Sequence, residues 1–215
     1  MTEQSQTKPN SLDNTPVDNF IVIDGPDGSG KSTQVSLLAE HLRAGGRDVL
    51  TVRDPGATDI GEAIRQILLS PAHNKMDPRS ELLLYTAARL QLWHEKIAPA
   101  LQAGSWVISD RWIYSTCAYQ GAAGKLGQQT VHDLTDAMGL PWPARAIILN
   151  LDPAVGLARI SATPDRVEAK SLTFHRAVRQ GYLSVAQLRP EVTVIDGAAQ
   201  PQQIQLAIRR ALGIE

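Results

Sequence analysis

Short apolar runs alternate along the chain with longer stretches of helical spacing. Phe20–Asp24 (FIVID), Asp48–Arg53 (DVLTVR), Trp106–Ser109 (WVIS), Ala146–Leu151 (AIILNL) and Val192–Ile195 are rich in β-branched and aliphatic residues. Strands covered on both faces read this way, because neither face has to be polar. Between them, apolar positions recur at helical intervals over Thr33–Arg43, Ile60–Leu69, Arg79–Gln102, Gln128–Met138, Pro153–Ile160, Leu172–Leu188 and Pro201–Leu212. Gly45-Gly46 closes the first of these, and Pro99, which has no N–H to donate, predicts an irregularity in the third. The alternation predicts an α/β fold, a parallel five-stranded sheet with helices on both faces. No internal repeat or linker divides the chain, so residues 19–215 are expected to form one domain.

Residues 1–18 interrupt the pattern. They are polar and rich in Ser, Thr, Asn, Gln and Pro, the composition of a disordered tail. They show neither the apolar stretch of an export signal nor the Arg-rich pattern of a transit peptide. The formal net charge of −1 gives no global field for nucleic acid or an anionic membrane. No apolar run reaches the roughly 18 residues of a membrane span. Cys117 is the single cysteine, so no intrachain disulfide can form, and no Cys/His cluster has zinc-ligand spacing. A cytoplasmic protein is expected.

The chemistry starts where the first strand ends. Gly25-Pro-Asp-Gly-Ser-Gly30-Lys31-Ser32 matches G-x-x-x-x-G-K-[ST], with an apolar strand before it and a helix after it. Glycines let the backbone wrap phosphates, and the helix adds the positive end of its dipole. The ATP cradle therefore comprises Gly25, Pro26, Asp27, Gly28, Ser29, Gly30, Lys31, Ser32 and Thr33. Lys31 is expected at the β- and γ-phosphates and Ser32 on Mg²⁺. Trp106-Val-Ile-Ser-Asp110 ends an apolar strand on a carboxylate, which would stand beside the metal as its second protein ligand. A P-loop alone does not choose among motors, switches and kinases. Tyr85 and Arg89, four apart on one helix, are on spacing alone equally a core aromatic with a surface arginine.

Five further stretches, in order, resemble the thymidylate kinase family over residues 19–212: Val52–Thr58 (VRDPGAT), Glu81–Arg89 (ELLLYTAAR), Asp110–Trp112 (DRW), Ser115–Gly121 (STCAYQG), and Asp165–Glu168 (DRVE) with Phe174–Tyr182 (FHRAVRQGY). The resemblance implies a P-loop NTPase-type fold with a short lid at about 160–170. It implies transfer of the ATP γ-phosphate to dTMP, Mg²⁺ as cofactor and a homodimer. The alternatives are a kinase for another nucleotide and a non-catalytic nucleotide-binding paralogue. Carried over by position, Asp27 would accept from the deoxyribose 3′-hydroxyl, Tyr85 would stack on thymine and Arg89 would donate to its O4. Thr116 and Gln120 would line the base edge, Tyr119 would crowd the 2′ position, and Arg65 and Arg111 would hold the acceptor phosphate. The P-loop carries no arginine, so the lid is expected to supply that charge, with Arg166 as principal catalytic arginine and Arg159 second. The family glycine at position 57 is Ala here, which predicts strain if that position needs φ > 0.

Overall fold

A computed structural model describes residues 18–160 and 163–215. The expected tail lies outside these residues apart from Asp18, as do Ser161 and Ala162 of the expected lid. Five strands, β1 (Phe20–Asp24), β2 (Val49–Arg53), β3 (Trp106–Asp110), β4 (Arg145–Asn150) and β5 (Val192–Asp196), form one sheet in the order β2-β3-β1-β4-β5. All four pairings are parallel. β1 is central, and in its register with β3 Ile23 faces Asp110. The two carboxylates that end these strands, Asp24 and Asp110, therefore emerge at the same edge.

Side chains alternate across each strand, which produces two cores. Phe20, Val22, Val107, Ala146 and Ile148 pack on one face with Trp93, Trp112, Tyr114, Val178 and Tyr182. Ile21, Ile23, Ile108, Ile147 and Leu149 pack on the other with Leu38, Ile204 and Ile208. The second face is covered by α1 (Lys31–Ala44) and α9 (Pro201–Leu212).

The remaining helices are α2 (Asp59–Leu69), α3 (Pro78–Leu92), α4 (Ala98–Gln102), α5 (Ile113–Thr116), α6 (Gln128–Ala137), α7 (Pro153–Ala158) and α8 (Leu172–Leu188). The irregularity expected near Pro99 takes the form of a π-turn over Trp93–Ile97, joining α3 to α4. Widening the helix just before a proline relieves the clash and missing donor that the ring imposes. A second π-turn, Cys117–Ala123, extends α5 and packs against α8. The alternation of strands and helices did not reveal α5, because its helical run is only four residues long. Among the described residues, no helix is long and apolar enough to cross a membrane.

Candidate active site

The loop between β1 and α1 is shaped by glycine. Gly28 has φ 71°, a left-handed conformation that side chains disfavour. Its Cα faces the backbone of Gly156 on α7: a Cβ on Gly28 would collide with the Gly156 carbonyl, and one on Gly156 with the Asp27 carbonyl oxygen. α7 therefore lies directly on the loop. The caps of α2, α3, α7 and α8 are side-chain oxygens of Thr58, Asp77, Asp152 and Ser171, whereas α1 begins at Gly30 with no side-chain cap. Its first amides remain available to an anion.

Lys31 is buried, and its Nζ donates to the Pro26 carbonyl oxygen over 2.8 Å. Burial, and then the nearby Arg111 guanidinium, push its ammonium down to about 8, against the pull of Asp27, Asp110 and Asp24. Ser32 Oγ donates to Asp110 Oδ2 over 2.6 Å. The serine hydroxyl and the strand-end carboxylate are hard oxygen donors brought side by side at the helix N-terminus, which suits Mg²⁺. They fit the metal that the motif implies.

Asp27 links this cradle to the opposite wall. One of its oxygens accepts from Arg111 Nη2, and the other accepts from the Tyr119 hydroxyl over 2.7 Å. Burial would raise the Asp27 carboxyl, but Arg111, Lys31 and the Tyr119 hydroxyl bring it below its ordinary value. Arg111 has φ 74° and donates through Nη1 to Gly25 O, Ser115 Oγ and the Tyr182 hydroxyl. A non-glycine residue in the left-handed region costs on the order of 1–2 kcal/mol. Here the side chain's bonds hold it in place.

A cavity of about 290 Å³ opens along this edge of the sheet. That is the size of a small-ligand site rather than a polymer groove. It brings together Asp27, Gly28, Lys31, Ser32, Asp110 and Arg111 from the cradle side with Arg65, Tyr85, Arg89, Thr116, Tyr119 and Gln120 from the other. The remaining cradle residues, Gly25, Pro26, Ser29, Gly30 and Thr33, form the loop and the start of α1 behind it. Arg65 donates to Pro55 O over 3.0 Å. Arg89 is buried: its Nε meets Asp54 Oδ2 at 2.6 Å, and its Nη2 donates to Thr116 Oγ1 and the Trp112 carbonyl. Burial holds the Asp54 carboxyl above its ordinary value in spite of Arg89.

The two arginines expected to serve the lid have different settings. Arg166 does not stand free over the phosphates. It is buried, with Nη2 2.6 Å from Glu81 Oε2 and Nε donating to Leu68 O over 2.6 Å. Its own N–H donates to Leu69 O, which docks the segment on the end of α2. Among the described residues it forms no ion pair with its neighbours Asp165 and Glu168, whose carboxylates accept from backbone amides at residues 165, 167 and 168. Arg159, at the C-terminal end of α7, is exposed, and its Nη1 lies 3.4 Å from Gly28 O of the loop. Of the two, Arg159 is the one that contacts the phosphate-binding loop.

Three residues at the site were not singled out from sequence. Asp24, fully buried, accepts through Oδ1 from Gly25 N, Ser115 Oγ and the Tyr182 hydroxyl, and through Oδ2 from Trp112 N and Ser115 N. It ties β1, α5 and α8 together beneath Arg111. A carboxylate ending an otherwise apolar strand was the available signal. Asp54 and Glu81 appear in the quoted stretches, but their roles depend on partners 35 and 39 residues away.

Comparison with known proteins agrees with this arrangement. The family model described as "Thymidylate kinase" matches residues 23–208. A thymidylate kinase of Deinococcus radiodurans is 41% identical over 186 residues, covering 85% of this chain and 90% of that protein. One from Cereibacter sphaeroides is 44% identical over 202 residues, covering 90% and 93%. The crystal structure of thymidylate kinase from Ehrlichia chaffeensis superposes with a TM-score of 0.74 at 30% identity, covering 90% of this chain and 97% of that one.

Proposed function

The chain belongs to the thymidylate kinase family and transfers the γ-phosphate of ATP to dTMP, giving dTDP; we propose that it does so through the cavity between the Gly25–Ser32 loop and the Tyr85–Arg89–Gln120 wall. The observation that carries this reading is Asp27, whose carboxylate faces both halves of the cavity and is bonded to a residue of each.

Ser32 and Asp110 would hold Mg²⁺, which when bound neutralises phosphate charge and orients the transferring group. The uncapped amides of α1 and the loop receive the ATP phosphates. Lys31 exchanges the Pro26 carbonyl for phosphate oxygens and supplies positive charge at the point of transfer. Across the cavity, Tyr85 stacks on the base, Arg89 donates to its 4-oxo group, and Thr116 and Gln120 line its edge. Arg65 and Arg111 hold the acceptor phosphate. A phosphate oxygen of dTMP attacks the γ-phosphorus as the bond to the β–γ bridging oxygen breaks. The attacking oxygen is already ionised, so no general base is needed, and catalysis is positioning and charge neutralisation. Arg159 is the arginine assigned to the γ-phosphate. A homodimer and a cytoplasmic location belong to the same reading.

The test is ATP-dependent phosphorylation of dTMP, dUMP, UMP, CMP, AMP, GMP and thymidine under matched conditions. dTMP should be the best acceptor and ribonucleotides poor. Equal use of UMP and dTMP would defeat the assignment of the acceptor site.

A further inference from the structure

Glu81 sits in the first turn of α3, buried and outside the cavity lining. Its two oxygens work in opposite directions. Oε1 accepts from Gln120 Nε2 over 2.7 Å, while Oε2 lies 2.6 Å from Arg166 Nη2 in a charge contact whose angle does not suit a hydrogen bond. A carboxylate held against a guanidinium only accepts. The Gln120 amide therefore has one orientation open to it: its NH₂ group points at Glu81, and its carbonyl Oε1 is the atom left over. Gln120 lines the cavity beside Arg89, and among the described residues its Oε1 is neither hydrogen-bonded nor sealed from the surface. Arg89 spends Nε and Nη2 on Asp54, Trp112 and Thr116, and its Nη1 is likewise without a bond among the described residues. This end of the cavity thus offers an acceptor from Gln120 and a donor from Arg89.

We propose that Glu81 is a positioning residue that fixes the polarity of the Gln120 amide and so makes the site selective for a pyrimidine with a protonated N3 beside a 4-oxo group, against cytosine. The inference rests on the reading of the cavity as the dTMP site. Thymine presents a donor at N3 and an acceptor at O4, complementary to Gln120 Oε1 and Arg89. Cytosine presents an acceptor at N3 and donors at its 4-amino group, so both contacts become repulsive. A site whose polar groups are fixed in this way rejects the mismatched analogue, because its buried groups are left unpaired. Without Glu81 the amide could turn over and pair with either base.

The test uses acceptor kinetics with dTMP and dCMP. In Glu81→Gln, Arg166 still has only donors to offer, so the new amide turns its single oxygen to Arg166 and its NH₂ to Gln120. Gln120 then inverts and shows its own NH₂ to the cavity. The preference for dTMP over dCMP in kcat/KM should fall at least about tenfold, through a higher KM for dTMP and with KM for ATP unchanged. The swapped pair Glu81→Gln/Gln120→Glu keeps the net charge and gives the new amide a carboxylate to donate to. That carboxylate shows only acceptors to the cavity, so the parent's preference should return to within about threefold. The swapped pair also answers the question if the single variant does not fold. A merely structural role would lower turnover of both acceptors alike and would not be reversed by the swap. Retention of the parent preference within about twofold in Glu81→Gln, or no recovery in the swapped pair, overturns the proposal. A parent that uses dCMP as well as dTMP instead overturns the acceptor assignment on which it rests.

Discussion

The Tyr119 hydroxyl donates to Asp27 Oδ2 over 2.7 Å, so the residue assigned to receive the sugar is bonded to the residue assigned to crowd it. The bond holds the Tyr119 ring against the cradle. Tyr119→Phe keeps the ring but removes its tether, and Tyr119→Ala removes both. Discrimination between dTMP and its ribose counterpart, measured as a ratio of kcat/KM, should fall about threefold in the first and more than about tenfold in the second. An unchanged ratio in both would show that Tyr119 does not guard the 2′ position.

Arg159 and Arg166 should separate by readout. Arg159 is exposed and lies at the loop, so Arg159→Ala should lower kcat by about 10²–10³-fold and leave Tm nearly unchanged. Arg166 is buried against Glu81, and removing it leaves an uncompensated carboxylate. Arg166→Ala should cost about 3–5 kcal/mol of stability, visible as a Tm lower by roughly 10 °C. If Arg166→Ala instead leaves Tm in place and abolishes turnover, Arg166 leaves Glu81 to act at the phosphates.

Lys31 should make ATP binding pH-dependent above neutrality. Its ammonium titrates near 8 in the ligand-free protein, lowered by burial and Arg111, and triphosphate charge will raise it again. Below pH 8 the group is protonated whether or not ATP is bound, and no proton is exchanged. Above pH 8 binding must take up a proton, so affinity should fall by up to about tenfold per pH unit. Calorimetry in buffers of different ionisation enthalpy should show close to one proton taken up at pH 9 and almost none at pH 6.5. Lys31→Arg, always charged, should remove the uptake. Lys31→Ala should nearly abolish transfer while the protein stays folded. Equal uptake in the parent and Lys31→Arg would assign the proton to another group.

Ala57 adopts φ 63° while its N–H donates to Glu62 Oε1 over 2.8 Å. The strain that sequence predicted at this position is present. Ala57→Gly should therefore raise the midpoint of urea unfolding by the equivalent of up to about 1 kcal/mol. A lower midpoint would mean that the methyl group's packing against the core outweighs the backbone strain.

The sheet was legible in the sequence because its three inner strands, β1, β3 and β4, are covered on both faces, so apolar runs such as Phe20–Asp24 needed no alternation to be recognised. The P-loop was legible because its chemistry is local: eight consecutive residues carry it. α8 and α9 matched to the residue because Ser171 caps one and Pro201 begins the other. What escaped was the wiring between distant positions. Asp24 meets Ser115 and Tyr182 across 91 and 158 residues, and nothing in the local pattern of FIVID announces those partners. The setting of Arg166 escaped for the same reason: its partners, Glu81 and Leu68, lie on α3 and α2, far from it in the chain.

The contact between Gly28 and Gly156 fixes where this enzyme could be re-engineered. Two main chains touch there with no side chain between them, so any transplanted segment that crosses position 156 must bring a glycine to that place. The opposite face of α7, with Ala154, Val155 and Ala158 exposed, carries no such restriction. One face of this short helix tolerates no added atom, and the other is open to changes of size and charge.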